Sequence, residues 1–177
     1  MAVYIAHAIA LGIVSAAAVT DTRTGHIPNW LTLPAIVFGP IIGFIAAGLG
    51  GVIEAVLGIL VCGLVPYLLF RKGAMAGGDV KLFAAVGGLT GIFIGVEAQF
   101  LSFIAAGVLA LGGLAWRGKL LGTLANTLRL MINPLIPQSK RTEVDEENLN
   151  EFRLGGSIFL GTLLALAFRH QALWTLG

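Results

Sequence analysis

The chain has 177 residues, of which 57% are hydrophobic and only 11% are charged, and its mean hydropathy is +0.93. Soluble domains carry roughly a quarter of charged residues, so a soluble domain of this length could not bury so much apolar surface, and the composition predicts a membrane protein. The formal net charge of +2 is too small for a nucleic-acid-binding surface, and we predict no nucleic-acid partner.

Six apolar runs follow one another, each near the roughly 20 residues that a helix needs to cross a bilayer. The runs cover roughly residues 2–20, 30–49, 51–70, 80–96, 98–116 and 154–176. We therefore predict an all-α, polytopic membrane protein with about six transmembrane helices in a single membrane-embedded domain over 1–177. No Lys or Arg precedes the first run, so it is interpreted as a retained helix rather than as a signal peptide.

The positive residues predict the orientation in the membrane. Connections one, three and five hold all the Lys and Arg residues except Arg169. The positive-inside rule places these connections in the cytoplasm and both termini outside. The fifth connection, residues 117–153, is the only long one, and it is predicted to be a cytoplasmic loop. Within it, residues 120–136 are apolar but short and interrupted by proline, which favours a helix lying in the membrane interface.

Small residues recur at helical spacing within the apolar runs. Gly39 and Gly43, and then Gly87, Gly91 and Gly95, are four residues apart, so each set lies on one helix face. Such a face lets a second helix approach closely. The single cysteine, Cys62, lies inside an apolar run and is predicted to be a small buried hydrophobe.

Three acids lie at or inside the ends of predicted spans, where acids are costly and indicate function. Asp21 ends the first span and Asp79 begins the fourth, so the predicted topology places both at the cytoplasmic edge, at similar depth. Glu54 lies near the outer end of the third span and is interpreted as an outer, non-catalytic carboxylate. The alternative for the two aspartates is that each caps a helix or sits in headgroup water.

Two aspartates at one depth can form a catalytic dyad. If they meet across a water molecule, their repulsion and the low dielectric separate the two protonation steps. One carboxylate then takes a proton from water, while the other, protonated, polarises a peptide carbonyl. This is the chemistry of aspartic proteases.

The residues around Asp79 and after Asp21 support this interpretation. Gly77 and Gly78 precede Asp79, and we expect them to leave room for a substrate peptide. Lys81 is expected to set topology or to contact headgroups or the loop, rather than to act in catalysis. In the first connection, Pro28 and Asn29 are typical of a turn, and Asn29 is a candidate cap for the second span. His26 is interpreted as a solvated loop residue, and no metal site or cofactor is predicted.

The two motifs together resemble the type IV prepilin peptidases, membrane aspartic proteases of the GxGD class. The resemblance rests on Asp21 followed by Ile27-Pro28-Asn29, and on Ala76-Gly77-Gly78-Asp79-Val80-Lys81. It implies that Asp21 and Asp79 are catalytic and that Gly77, Gly78, Lys81, Pro28 and Asn29 support the motif. It also implies that the substrates are prepilins or pilin-like proteins, whose short cytoplasmic leader is cut before the hydrophobic helix.

The first connection is short and has no cysteine, whereas larger members of the family carry an extra cytoplasmic region there and also methylate the new terminus. The chain is similar to the small subtype that serves Flp pili of tight-adherence systems, and archaeal preflagellin peptidases are also related. Two positions depart from the family pattern. Ala76 replaces the first glycine, and we expect it to be tolerated. Arg153-Leu154-Gly155 stands where the family often has Pro-Tyr-Gly, and we expect this to alter substrate docking or local packing.

Two alternatives use the same residues. A small proton or cation transporter would use the acids for ion passage, although such a protein is expected to spread its acids through the membrane depth. A non-catalytic membrane protein of pilus or secretion assembly would keep the fold without the chemistry.

Overall fold

The computed structural model describes residues 2–116, 118 and 154–175, and these residues are almost entirely helical. Helix α1 covers Ala2–Thr24, α2 covers Asn29–Arg71, α3 covers Gly77–Trp116 and α4 covers Gly155–Thr175. No strand occurs in these described ranges, so the predicted all-α class is confirmed. The predicted loop over 117–153, with its interfacial helix at 120–136, lies outside the described residues except for Gly118.

The chain contacts group into two compact units, Met1–Ala106 with Arg153–Gly177, and Gly107–Phe152. In the second unit, the described residues are the last ten of α3 and Gly118, whose N–H donates to the Ala115 carbonyl oxygen at 3.0 Å. All packing discussed below belongs to the first unit. The single peptidase domain over 1–177 stays a prediction.

Three of the described helices, α1, α2 and α3, are long and apolar enough to cross a membrane. Large apolar side chains cover the outer surface of the first unit, for example Ile45, Leu49 and Phe93, which are 72–76% exposed. An exposed apolar surface of this extent is suited to lipid. The first unit is therefore built as a membrane protein, while the count of six spans stays a prediction.

Helix α2 folds back on itself. Its backbone leaves the helical region at Ala47 and Gly48, where Gly48 has a φ of 62°. Gly43 and Gly51 would be about 12 Å apart along a continuous helix. However, a Cβ added to Gly51 would lie 3.1 Å from the Gly43 Cα. The two halves of α2 therefore pack side by side in opposite directions, as the predicted boundary between the second and third spans requires.

Helix α3 also reverses, at Gly91, whose φ of 81° favours glycine. A Cβ added to Gly95 would lie 2.8 Å from the Gly87 Cα, so the two halves of the helix touch across the reversal. The predicted connection at Glu97 is therefore wrong, because Glu97 lies inside the helix. The sequence is misleading here because Gly91 lies in an apolar run that contains no charge, with Thr90 as its only polar neighbour, whereas Glu97 is a charged residue of the kind that a connection usually contains.

The predicted close packing at glycines is present, but Gly87, Gly91 and Gly95 do not share one helix face, because α3 reverses at Gly91. A Cβ added to Gly58 would lie 2.7 Å from the Gly87 carbonyl carbon, and one added to Gly39 would lie 2.8 Å from the Gly88 oxygen. Cys62 is buried and its thiol is free, as predicted. The contacts of Gly58 with Gly87 and of Gly39 with Gly88 join backbone atoms, so the helices meet where neither has a side chain.

A buried stripe on α1 leads to the end of the helix. Ala10, Val14, Ala17 and Asp21 are all buried and recur at helical spacing. Val14 and Ala17 belong to one apolar cluster with Leu82, Phe83, Val86 and Ile158 from α3 and α4. The cluster fixes the ends of α1, α3 and α4 relative to one another. Asp21, Asp79 and the N–H of Gly155 lie at these three ends.

The contact between Gly58 and Gly87 predicts a pair of variants with opposite behaviour. Gly58→Ala should lower the free energy of unfolding by about 1–3 kcal/mol, because the added methyl overpacks against backbone that cannot move aside. Gly63→Ala lies in the same half of α2, and its added methyl would meet only the Ala84 Cβ at 3.6 Å. It should leave stability unchanged or raise it by up to about 1 kcal/mol. Unfolding by detergent titration measures both, and equal stability of the two variants would contradict the packing described.

Candidate active site

Asp21 lies in the last turn of α1, on the buried stripe, and is 5% exposed. The helix ends three residues later because Gly25 adopts a φ of 73°, and its N–H donates to the Asp21 backbone oxygen at 2.9 Å. This is the usual left-handed glycine termination of a helix. The apolar stripe thus carries a carboxyl into the protein interior at the end of α1.

Asp79 lies in the first turn of α3 and is 6% exposed. Its N–H donates to the Ala76 carbonyl oxygen at 3.2 Å. Asp21 lies within electrostatic range of the Asp79 carboxyl, so the fold brings the two predicted aspartates near each other. Burial of both carboxyls argues against the alternative in which each sits in headgroup water.

A third helix end reaches this pair. The N–H of Gly155, the first residue of α4, donates to Asp21 Oδ2 at 2.9 Å. A Cβ on Gly155 would lie 2.8 Å from both the Cβ and Oδ2 of Asp21. This contact could not be predicted, because a backbone donor 134 residues away has no residue-type signal in the sequence. The departure from the family pattern at Arg153-Leu154-Gly155 predicts altered substrate docking or local packing, but not this hydrogen bond.

The room beside Gly78 is filled by the chain itself. A Cβ on Gly78 would lie 3.0 Å from the Ile27 Cβ and 3.2 Å from the Ile27 carbonyl oxygen. Ile27 is buried. Gly77 faces the Phe70 ring at an ordinary contact distance of 3.5 Å. The expectation that Gly78 leaves space for a substrate peptide is therefore replaced: Gly78 lets the loop after α1 dock on the start of α3.

A hydrogen bond ties the same two segments together on the outside. Lys81 Nζ donates to Asn29 Oδ1 at 2.7 Å. Lys81 therefore contacts the first residue of α2 rather than the loop before it. Asn29 is not the cap of α2, since Pro28 holds that position and Asn29 is the first helical residue. Its side chain is directed to Lys81, so the two motifs are linked to each other through these residues.

The remaining predicted residues lie elsewhere. A Cβ on Gly91 would lie 2.6 Å from Glu54 Oε1, so this carboxylate contacts the reversal of α3. A cavity of about 300 Å³ lies there, lined by Glu54, Gly91, His7 and Arg169 among others, and Asp21 and Asp79 do not line it. His26 is exposed. Over the described ranges, no group of three or more His, Cys, Asp or Glu side chains is placed to hold a metal ion.

The sequence profile described as the type IV leader peptidase family matches residues 8–111. The matched region includes both aspartates, both glycines before Asp79 and the Ile27-Pro28-Asn29 loop. No curated protein and no solved structure matches the chain.

The docking of Ile27 on Gly78 predicts a local effect of a single methyl group. Gly78→Ala should displace the loop, because the neighbouring atoms include backbone. The amides of residues 25–27 should then exchange with deuterium about tenfold faster. Gly77→Ala is the matched control, since it meets only a ring edge at 3.5 Å. Hydrogen exchange followed by mass spectrometry of the peptide spanning this loop measures both, and identical exchange would contradict the assigned contact.

Proposed function

Because the chain belongs to the type IV leader peptidase family, we propose that it is an aspartic endopeptidase that cuts prepilins or pilin-like proteins with Asp21 and Asp79. Family membership supports a peptidase. The observation that carries the residue assignment is the pair of buried carboxyls, from the end of α1 and the start of α3, that lie within electrostatic range of each other. No third acid contacts this pair within the described ranges.

The reaction needs one carboxylate and one carboxylic acid. The ionised aspartate takes a proton from water as the water oxygen attacks the peptide carbonyl carbon. The other aspartate gives its proton to the carbonyl oxygen, so no charge builds up on it. When the tetrahedral intermediate collapses, the C–N bond breaks and the leaving nitrogen receives a proton from the dyad. Water is consumed, and the products are a leader carboxylate and a new amino terminus.

The site belongs at the cytoplasmic edge of the membrane in this proposal. Arg71, Lys72 and Lys81 lie close in sequence to Asp79, and Arg23 follows Asp21, which places this end inside by the positive-inside rule. The reversals in α2 and α3 support six crossings of the inner membrane with both termini outside. A prepilin would then present its positive leader to the dyad while its hydrophobic helix stays in the bilayer.

The connection between α1 and α2 supports the small subtype of the family. Only residues 25–28 separate the two helices, and none is a cysteine. The first connection is therefore too short to hold the extra cytoplasmic region that larger members carry there. We propose a protein of the Flp type that cuts the leader without methylating the new terminus. Archaeal preflagellin is the alternative substrate class.

The proposal is tested by cleavage of a co-expressed prepilin. Asp21→Asn and Asp79→Asn should each lower cleavage by at least about 10²-fold, because either change removes one half of the acid–base pair and keeps its shape. Glu54→Gln is the matched control: it removes an acid that contacts the α3 reversal instead, and it should cut normally. Gel shift and mass of the mature terminus measure cleavage, at membrane levels checked for each variant.

The outcomes separate the alternatives. Continued cleavage by both aspartate variants would refute the catalytic assignment. Absence of cleavage by the wild type with its own pilin would favour an assembly protein. Loss of ion flux in Glu54→Gln, with no cleavage by any form, would favour a transporter.

A further inference from the structure

The two aspartates occupy opposite ends of their own helices. Asp79 lies in the first turn of α3, where the helix dipole favours a negative charge. Asp21 lies in the last turn of α1, where the dipole of its own helix disfavours one. Asp21 is also buried, so water does not fully stabilise the negative charge of its carboxylate. An ionisable dyad therefore needs a donor for Asp21 that α1 cannot supply.

Helix α4 supplies that donor. The first N–H groups of a helix have no partner within the helix, and they point away from its start. That of Gly155 is directed to Asp21 Oδ2, at a distance suited to a charge-assisted hydrogen bond. Ile158, one turn later, belongs to the same buried cluster as Val14 and Ala17 of α1. Packing along the two helices thus holds the donor and the carboxyl in register.

We propose that Gly155 is a positioning residue of the active site, fixing the Asp21 carboxylate from the last helix. The inference rests on the proposed function and extends it beyond residues 8–111, the region that the family profile covers. Gly155 touches no reacting atom. It acts through Asp21, by giving it a backbone donor and by leaving no side chain between the two helices. The active site is thus assembled from three helix ends.

The hydrogen bond can be observed directly in the wild-type protein. The sequence has three aspartates, Asp21, Asp79 and Asp145, so carbon-13 in aspartate carboxyls gives few signals. With nitrogen-15 in glycine, solid-state NMR in bilayers measures carboxyl-to-amide distances, and loss of a signal in Asp21→Asn assigns it. We expect the Asp21 carboxyl carbon within about 4 Å of a glycine nitrogen. Thr20 and Thr22 flank Asp21, so no adjacent glycine produces this contact.

Kinetics test the positioning role. Gly155→Ala should displace Asp21 and lower kcat by at least about tenfold, with KM within about threefold, because the substrate still binds while the carboxyl is misplaced. Gly155→Pro removes the N–H at a position where helices accept proline, and it should lose at least as much. Gly156→Ala is the matched control: its Cβ meets nothing within 4 Å, and cleavage should equal that of the wild type.

Each result decides the inference. Absence of a glycine nitrogen near the Asp21 carboxyl in the folded wild type would overturn it. So would a Gly155→Ala protein that loses only folded material and keeps kcat per folded molecule. Failure of the wild type to cut any prepilin would instead refute the proposed function, and the NMR distance would still decide whether Gly155 holds Asp21.

Discussion

Direct contact between glycine backbones is the constraint on which this structure depends. In a bilayer, lipid is as apolar as the helices, so burial of apolar side chains does not drive helix association, and close packing must do so. Gly58 meets Gly87, Gly39 meets Gly88, and each long helix touches itself across its own reversal. Because the contacting atoms are backbone, these distances cannot be adjusted by choosing other rotamers. These contacts set how α2 and α3 pack, and the apolar cluster then fixes the ends of α1, α3 and α4 with the acids they carry.

The site shows how helix ends can replace charged side chains. In the described part of the chain, no cation is paired with Asp21 or Asp79, and Lys81 bonds to Asn29 instead. A backbone N–H from α4 donates to Asp21, and Asp79 lies in the first turn of α3, where the helix dipole favours a negative charge. Such donors are fixed by the fold and need no side-chain reorganisation as charge moves during a reaction. The loop after α1, docked on Gly78 through Ile27, adds a further fixed connection between the two acid-bearing segments.

The sequence predicted the family and the candidate residues better than it predicted the geometry. Composition predicted an all-α membrane protein, and the paired motifs singled out Asp21 and Asp79, because rare acids at span ends are informative. The glycine spacing predicted close helix contacts, which the structure shows, although the reversal at Gly91 divides Gly87 and Gly95 between two halves of α3. Three features were not predictable from residue types. The reversal at Gly91 lies in an apolar run without a charged residue, the contact of Ile27 with Gly78 joins distant segments, and the Gly155 donor is a backbone group. Each depends on tertiary contacts that a single sequence does not display.

The division between a glycine interior and a lipid-facing exterior sets how such a protein can diverge. At Ile45, Leu49 or Phe93, the side chain faces outward, so any apolar residue is suitable there. Substitutions at these positions should cost little stability. At Gly58 or Gly87, even one methyl group collides with backbone. Related chains should therefore lose overall identity quickly while keeping a sparse set of glycines and aspartates in order. In this architecture, common ancestry of two chains is visible at a few positions, and most of the sequence does not reveal it.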